Sequence, residues 1–275
     1  MVFHLAAQVA VTTSIDTPMR DFEVNVLGTL NVLEAIRTSK HRPPMIFTST
    51  NKVYGNMESF QLTAGEKRYE GADVGAANGF DESTKLDFCS PYGCSKGAAD
   101  QYVLDYARTY DLRAAVFRMS CIYGPHQHGN EDQGWVAHFI SNVINGRPIT
   151  IFGDGKQVRD LLYVDDLVNA FILAQNQIES ISGKAFNVGG GPENAMSVLE
   201  VLDVIAPLSD RKPHVEFKDW RRGDQRFYVS NSWLLSQITG WERRVGVREG
   251  IELLFDWLAG RAQAKAGVGQ ATLNT

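Results

Sequence analysis

Met45-Ile46-Phe47-Thr48-Ser49-Thr50-Asn51-Lys52-Val53-Tyr54-Gly55 opens as an unbroken apolar run and ends in hydroxyls, an amide, a cation and a glycine. An apolar run without polar alternation predicts a strand covered on both faces, the situation of a parallel sheet. The hydroxyls that follow then stand at the strand's carboxyl end, facing the crevice where open α/β sheets bind ligands. Thr50 is thus a candidate to hydrogen-bond a reacting oxygen.

Outward from this stretch, the pattern alternates. Val2 to Ala7 reads as a buried strand and a tight turn. A helix is expected from Met19 to about Ser39, with Thr17 as cap and Pro18 at the first helical position. It carries apolar residues at Phe22, Val26, Leu30, Val32, Leu33 and Ile36, with Asn25 on the side of Phe22, bonded either to a neighbouring loop or to a cofactor. Residues 56 to 88 form a polar insertion too long for a simple connection, and such loops cover or shape sites. A helix from Pro91 to Tyr110, with Tyr102, Val103, Tyr106 and Ala107 inward, precedes a strand at Ala114 to Phe117. The chain then leaves as a loop from Arg118 to Pro125. Further helices are expected at Trp135 to Asn145, from an Asp165 or Asp166 cap to Gln177, from Ser197, at Ser232 to Gln237 and at Val247 to Leu258. Strands fall at Ile149 to Phe152, Gln157 to Val164, Phe186 to Val188 and Val215 to Phe217. Gly189-Gly190-Gly191 does not match a dinucleotide fingerprint and reads as a plain turn. Arg159 is a lone cation in an otherwise apolar strand.

Tyr92 and Lys96 in Ser90-Pro91-Tyr92-Gly93-Cys94-Ser95-Lys96 lie on one face of the predicted helix. A cation held beside a phenol favours the phenolate, so the two form a candidate proton-transfer couple. The competing reading is an ordinary helix start with a surface lysine.

At 275 residues, 44% hydrophobic and 21% charged, the chain can bury a sizeable core, as one large α/β domain or one and a half. A net charge of -5 without a basic stripe argues against nucleic acid as a partner. No apolar run approaches the ~20 residues of a membrane span, and the amino terminus lacks a basic leader, so no membrane partner and a cytoplasmic location are expected. The three cysteines, Cys89, Cys94 and Cys121, have no metal-ligand spacing and predict reduced thiols and no metal. Cys94 reads as a small filler residue.

Taken in order, His4-Leu5-Ala6-Ala7, Asn25-Val26-x-Gly28-Thr29, Ser49-Thr50 with Val53-Tyr54-Gly55, Ser90-Pro91-Tyr92 with Lys96, Tyr123-Gly124-Pro125 and Val158-Arg159-Asp160 resemble the extended short-chain dehydrogenase/reductases. Within that family, Gln8 to Ser14, Asn51-Lys52, Asp132-Gln133-Gly134-Trp135 and Gly155 to Asp160 point toward epimerases of CDP-hexoses. The resemblance implies a Rossmann-like doubly wound parallel sheet with a smaller C-terminal α/β substrate-binding region. It divides the chain into a partial NAD-binding domain at 1-125, an interleaved substrate region at 126-260 and a disordered tail at 261-275.

The resemblance also implies roles. Tyr92 would be the base that takes a proton from a sugar hydroxyl, Thr50 would hold that oxygen, and Lys96 would depress the tyrosine's pKa and hold the nicotinamide ribose. NAD would be the cofactor, with Leu5, Ala6, Ala7, Gln8, Asn25, Thr48 and Met119 along it. Asn51, Lys52 and Gln133 would face a nucleotide sugar. Arg159 and Arg221 would meet its diphosphate, the competing reading of each being a structural salt bridge. A homo-oligomer is implied through helices at 19 to 39 and 91 to 110. Neither Asn51 nor Lys52 can replace the carboxylic acid used to expel water in 4,6-dehydratases, so dehydration is disfavoured, while a UDP-galactose-type 4-epimerase remains a neighbour. Val2 corresponds to the fourth strand of the fold. Roughly 70 residues with the Gly-rich pyrophosphate loop are thus expected to be missing, through a misplaced start or a truncated frame. The rival from another class is a non-catalytic remnant that binds a sugar nucleotide or a partner.

Overall fold

The computed structural model describes residues 1–57, 60–71 and 78–271, with side chains through residue 262. The elements run β1 (Val2–His4), α1 (Val11–Asp16), α2 (Pro18–Phe22), a π-helical turn (Glu23–Leu27), α3 (Gly28–Thr38) and β2 (Met45–Thr50). A 3-10 turn (Asn51–Tyr54), the hairpin β3 (Leu62–Ala64) and β4 (Tyr69–Gly71), α4 (Ser90–Tyr110), β5 (Ala114–Met119) and β6 (Cys121–Tyr123) come next. The second half continues with α5 (Trp135–Ile144), β7 (Ile149–Phe152), β8 (Val158–Tyr163), α6 (Val164–Asn176), α7 (Ile178–Ile181), β9 (Ala185–Val188) and β10 (Ala195–Ser197). It closes with α8 (Val198–Ile205), β11 (Val215–Lys218), β12 (Phe227–Tyr228), α9 (Trp233–Thr239) and α10 (Val247–Ala271).

The expected α/β architecture is present. A parallel sheet runs β1-β2-β5-β9, with Thr50 opposite Met119 and Met119 opposite Val188 at the carboxyl ends. Every residue of β2 is buried. The two-residue repeat of the strands divides them between two cores. Met45, Phe47, Ala114 and Val116 pack under Leu33, Ile36, Ala99, Val103 and Tyr106 of α3 and α4. Ile46, Ala115, Phe117 and Phe186 pack under Leu167, Ala170, Ala174, Ile178 and Leu235 of α6, α7 and α9. Helices therefore cover both faces, as in a doubly wound sheet.

A second sheet is built on β8, which pairs β10, β12 and β6. The chain passes from β5 straight into β6 at Ser120, whose hydroxyl bonds the backbone and carboxylate of Asp160 in β8. The sheets are thereby stitched together where β5 ends and β6 begins.

Several expectations need correction. Phe22 is 51% exposed while Asn25 is 1% exposed, so they do not share a side. The π-helical turn Glu23–Leu27 adds a residue to the turn and rotates Asn25 inward. Thr17 does not cap α2 with its side chain but donates to the Thr13 carbonyl. Asp166 does not cap α6; its carboxylate accepts the Arg244 and Val245 amides, and Tyr163 is the cap residue. Tyr102 faces outward, 43% exposed. Cys94 is exposed rather than a filler. The segment from Arg118 is not a loop, because β5 extends to Met119 and β6 follows. Helix α10 continues through most of the stretch expected to be disordered, and residues 272–275 lie outside the described residues.

Candidate active site

Thr50 ends β2, and the 3-10 turn that follows is capped by its hydroxyl, which accepts the Lys52 amide at 3.2 Å. The same hydroxyl shares the cleft with the Tyr92 phenol and favours its ionised form. Tyr92 lies in the first turn of α4, where amides have no partner within the helix. Its amide is taken by Ser14 Oγ of α1 at 3.1 Å. Gly93 brings α4 close: a Cβ there would stand 3.1 Å from the Lys52 carbonyl. Ser90 enters the helix at φ 83°, a left-handed conformation before Pro91, and its hydroxyl accepts the Gly93 amide. Such a backbone is retained where the surroundings impose it.

Burial pushes the Tyr92 phenol up to about 12, against the pull of the Thr50 hydroxyl. Burial likewise brings the Lys96 ammonium down to about 8, opposed by Asp100 and then Asp21. The expectation that Lys96 depresses the tyrosine is therefore not met in the free protein. The ammonium lies over the Phe47 ring, 4.2 Å from its centroid, and desolvation of the phenol dominates.

Thr50, Asn51, Lys52, Tyr92, Met119, Gln133, Arg159 and Arg221 come together along one cleft of about 430 Å³ between the two sheets. Lys52 donates to the Gly223 carbonyl at 3.4 Å, and burial together with the neighbouring Arg159 brings its ammonium down to about 7. Arg159 donates to the Val158 and Gln225 carbonyls, with no carboxylate partner among the described ion pairs, so the salt-bridge reading is not met. Arg221 lies over the Phe152 ring at 3.5 Å and pairs with Asp132 at 3.3 Å, so its structural reading is met even as it lines the cleft. Gln133 donates to the Val9 carbonyl.

The remaining expected residues lie behind the cleft or at its side. Thr48 donates to the His4 carbonyl at 3.0 Å, and Asn25 pairs with both backbone groups of Gln8. Leu5 and Ala6 are exposed beyond β1, with Ala7 and Gln8 half-buried. No described residue of the 56–88 insertion lines the cleft. Its hairpin packs instead against the second sheet, where the Tyr69 amide meets the Lys156 carbonyl and Phe80 bridges Ser230.

Two features escaped the sequence. Asp21, 1% exposed, takes hydrogen bonds from Ser95 and Asn25. A buried network also runs from Asp100 through the bidentate guanidinium of Arg118 to the Tyr54 hydroxyl and Asn187, tying α4 to β5 and β9. The acid four residues before Asn25 was a visible signal for the first; a charge inside an apolar strand at Arg118 was the signal for the second.

Two buried polar atoms at the sheet's carboxyl end have no protein partner, Gln8 Oε1 and Ser49 Oγ. Ser49 lines the cleft with Tyr92 and Met119, a set that fits the nicotinamide end of a dinucleotide.

A family model for the NAD dependent epimerase/dehydratase family matches residues 1–189. The chain is 45% identical to CDP-paratose 2-epimerase of Salmonella typhi, over 93% of this chain and 76% of that protein. It is 32% identical to UDP-glucose 4-epimerase of Mycolicibacterium smegmatis, over 96% and 77%. The fold matches the Thermus thermophilus UDP-glucose 4-epimerase complex with NAD at a TM-score of 0.77, with 33% identity over 94% of this chain and 77% of that one.

Proposed function

The chain belongs to the NAD dependent epimerase/dehydratase family, and on that premise we propose that it epimerises a nucleotide sugar at C2, converting CDP-paratose to CDP-tyvelose for a lipopolysaccharide O-antigen. The observation that carries the choice is the 45% identity with a CDP-paratose 2-epimerase, against 32% with a UDP-glucose 4-epimerase. Asn51 and Lys52 support it, since neither can supply the carboxylic acid that a dehydratase uses.

Bound NAD would supply reversible hydride transfer at the sugar carbon, with no net redox change. The chain's own residues handle the proton and the position. Tyr92 takes the proton of the sugar hydroxyl and gives it back, and Thr50, which lines the same cleft, holds that oxygen. Lys96 supports the phenolate once a ligand covers the site. Gln8, Ser49, Asn25 and Met119 line or brace the nicotinamide side, and Arg159, Arg221 and Lys52 hold the diphosphate. Asn51 and Gln133 orient the sugar. Exposed Met19, Phe22 and Leu27 on the helices before β2, with Tyr102 on α4, support assembly as a homo-oligomer.

The test is incubation of the full chain, with NAD added, with CDP-paratose and separately with UDP-galactose. CDP-tyvelose should form from the first; an unchanged first substrate with conversion of the second would replace this reading by a 4-epimerase.

A further inference from the structure

Under the helix that carries Tyr92 and Lys96, a carboxylate is enclosed without a cation. Asp21 is 1% exposed, and its oxygens take hydrogen bonds from Ser95 and, at 3.2 Å, from Asn25. Ser95 lies between Tyr92 and Lys96 in sequence, and its hydroxyl also meets the Tyr92 carbonyl at 3.2 Å. Asn25 ties the same carboxylate to the segment after β1 through both backbone groups of Gln8.

The charges around it are few. From α4, the field of Asp21 reaches Lys96, Tyr92 and Cys94, favouring the ammonium and disfavouring the phenolate and the thiolate. From α1 the buried residue is Ser14, a hydroxyl. On its own stretch of chain Arg20 and Glu23 are exposed, leaving Asn25 as the inward polar neighbour. His4 of β1 senses Lys96, and burial holds it toward its neutral form. Two carboxylates act on Lys96, and the larger contribution comes from Asp100. Asp100, however, is committed to the bidentate pair with Arg118, at 2.9 and 3.0 Å. Asp21 has no cation within ion-pair distance among the described residues.

We propose that Asp21 is a positioning residue of this site: its buried carboxylate holds Ser95 and Asn25 beneath Tyr92 and supplies the uncommitted negative charge that keeps Lys96 protonated. The proposal rests on the reading of Tyr92 and Lys96 as the proton couple. Burial alone works against a charged Lys96, and a carboxylate nearby in a medium of low dielectric offsets part of that cost. Burial raises the Asp21 carboxyl from its ordinary value, opposed by the Ser95 hydrogen bond and then by Lys96, so the charges on the two groups support each other.

The experiment is a titration of the Lys96 side chain by carbon-detected NMR of its ε carbon, assigned with Lys96→Arg, in the wild type, in Asp21→Asn and in Asp21→Ser. The asparagine keeps the size of the carboxylate and one of its two acceptor oxygens, and the serine gives a second neutral variant should the first not fold. In either neutral variant the Lys96 midpoint should move down by about one pH unit, and the pH optimum of turnover should move the same way. Ser95→Ala, which keeps the charge, should lower turnover and leave that optimum in place. A Lys96 midpoint unmoved in both neutral variants overturns the proposal. A midpoint that moves while the turnover profile stays fixed sustains the charge coupling and counts against the catalytic reading of Lys96.

Discussion

Tyr92 is 8% exposed, and its phenol is pushed up to about 12, so at neutral pH the free protein holds it protonated. A protonated phenol donates a hydrogen bond and becomes a base only once ionised, and Tyr92→Phe removes the hydroxyl that serves both uses while keeping the ring. Turnover should be abolished in this variant while the dissociation constant for the nucleotide sugar stays within about tenfold; calorimetry on the variant checks the second half. The same inactive variant isolates Lys52. Burial and Arg159 bring the Lys52 ammonium down to about 7, so its charge is present below that pH and lost above it. A diphosphate needs the ammonium, hence affinity should fall by up to about tenfold for each pH unit above 7, until the bound-state value is reached. Lys52→Arg, whose guanidinium keeps its proton, should flatten that dependence. At this scale the sequence was legible where a strand end or the family resemblance placed a residue: Thr50, Tyr92 and the cleft cations come together. It was not legible where burial set the chemistry, because the rise of Tyr92 and the enclosure of Asp21 depend on neighbours brought in from α1 and β1.

At the scale of elements, sequence periodicity located β1, β2, β5, β7, β8, β9 and β11 and most helices to within a few residues, since apolar runs and 3.6-residue spacing report burial directly, and it missed β3, β4, β6, β10 and β12, which are too short to show a period. It failed where the backbone left the regular period. The π-helical turn Glu23–Leu27 reverses the faces of Phe22 and Asn25, and no local pattern announces it. The glycines after β9 failed for another reason. They were read as a plain turn, yet a Cβ on Gly190 would stand 2.1 Å from the Leu161 carbonyl, and one on Gly189 would stand 2.3 Å from a carboxylate oxygen of Asp160. These glycines let β9 pass across β8, and the atoms they meet lie about thirty residues away in sequence. Gly190→Ala must therefore displace backbone rather than a side chain. It should destabilise the protein by about 2 kcal/mol or more, measured by denaturant unfolding, whereas Gly246→Ala, with open space at the Cβ position, should cost well under half of that. Equal losses at the two positions would refute the close-approach account.

For the molecule as a whole, the cleft lies where the carboxyl ends of β2 and β5 meet the amino-terminal part of β8, and the chain crosses between the sheets at Ser120 and again after β9. Thr50 and Tyr92 come from the first sheet and its helix, whereas Arg159 belongs to β8 of the second and Arg221 to the loop before β12. The loop that carries Arg221 reaches back over the first half, where the Gly223 carbonyl accepts Lys52 and Gln225 bonds the Gly55 carbonyl. A ligand spanning the cleft thus bonds to both halves at once and should couple their unfolding. With a CDP-hexose at a hundred times its dissociation constant, stabilisation by mass action is about 2.7 kcal/mol. In a chain of this size that corresponds to a rise in Tm of roughly 5–10 °C. Arg159→Ala removes the cation on the far sheet without touching Thr50 or Tyr92, so most of the rise at the same ligand concentration should disappear while the ligand-free Tm changes little. Retention of the full rise in Arg159→Ala would mean that the diphosphate is held by the first half alone, and that the second sheet shapes the cleft without gripping what enters it.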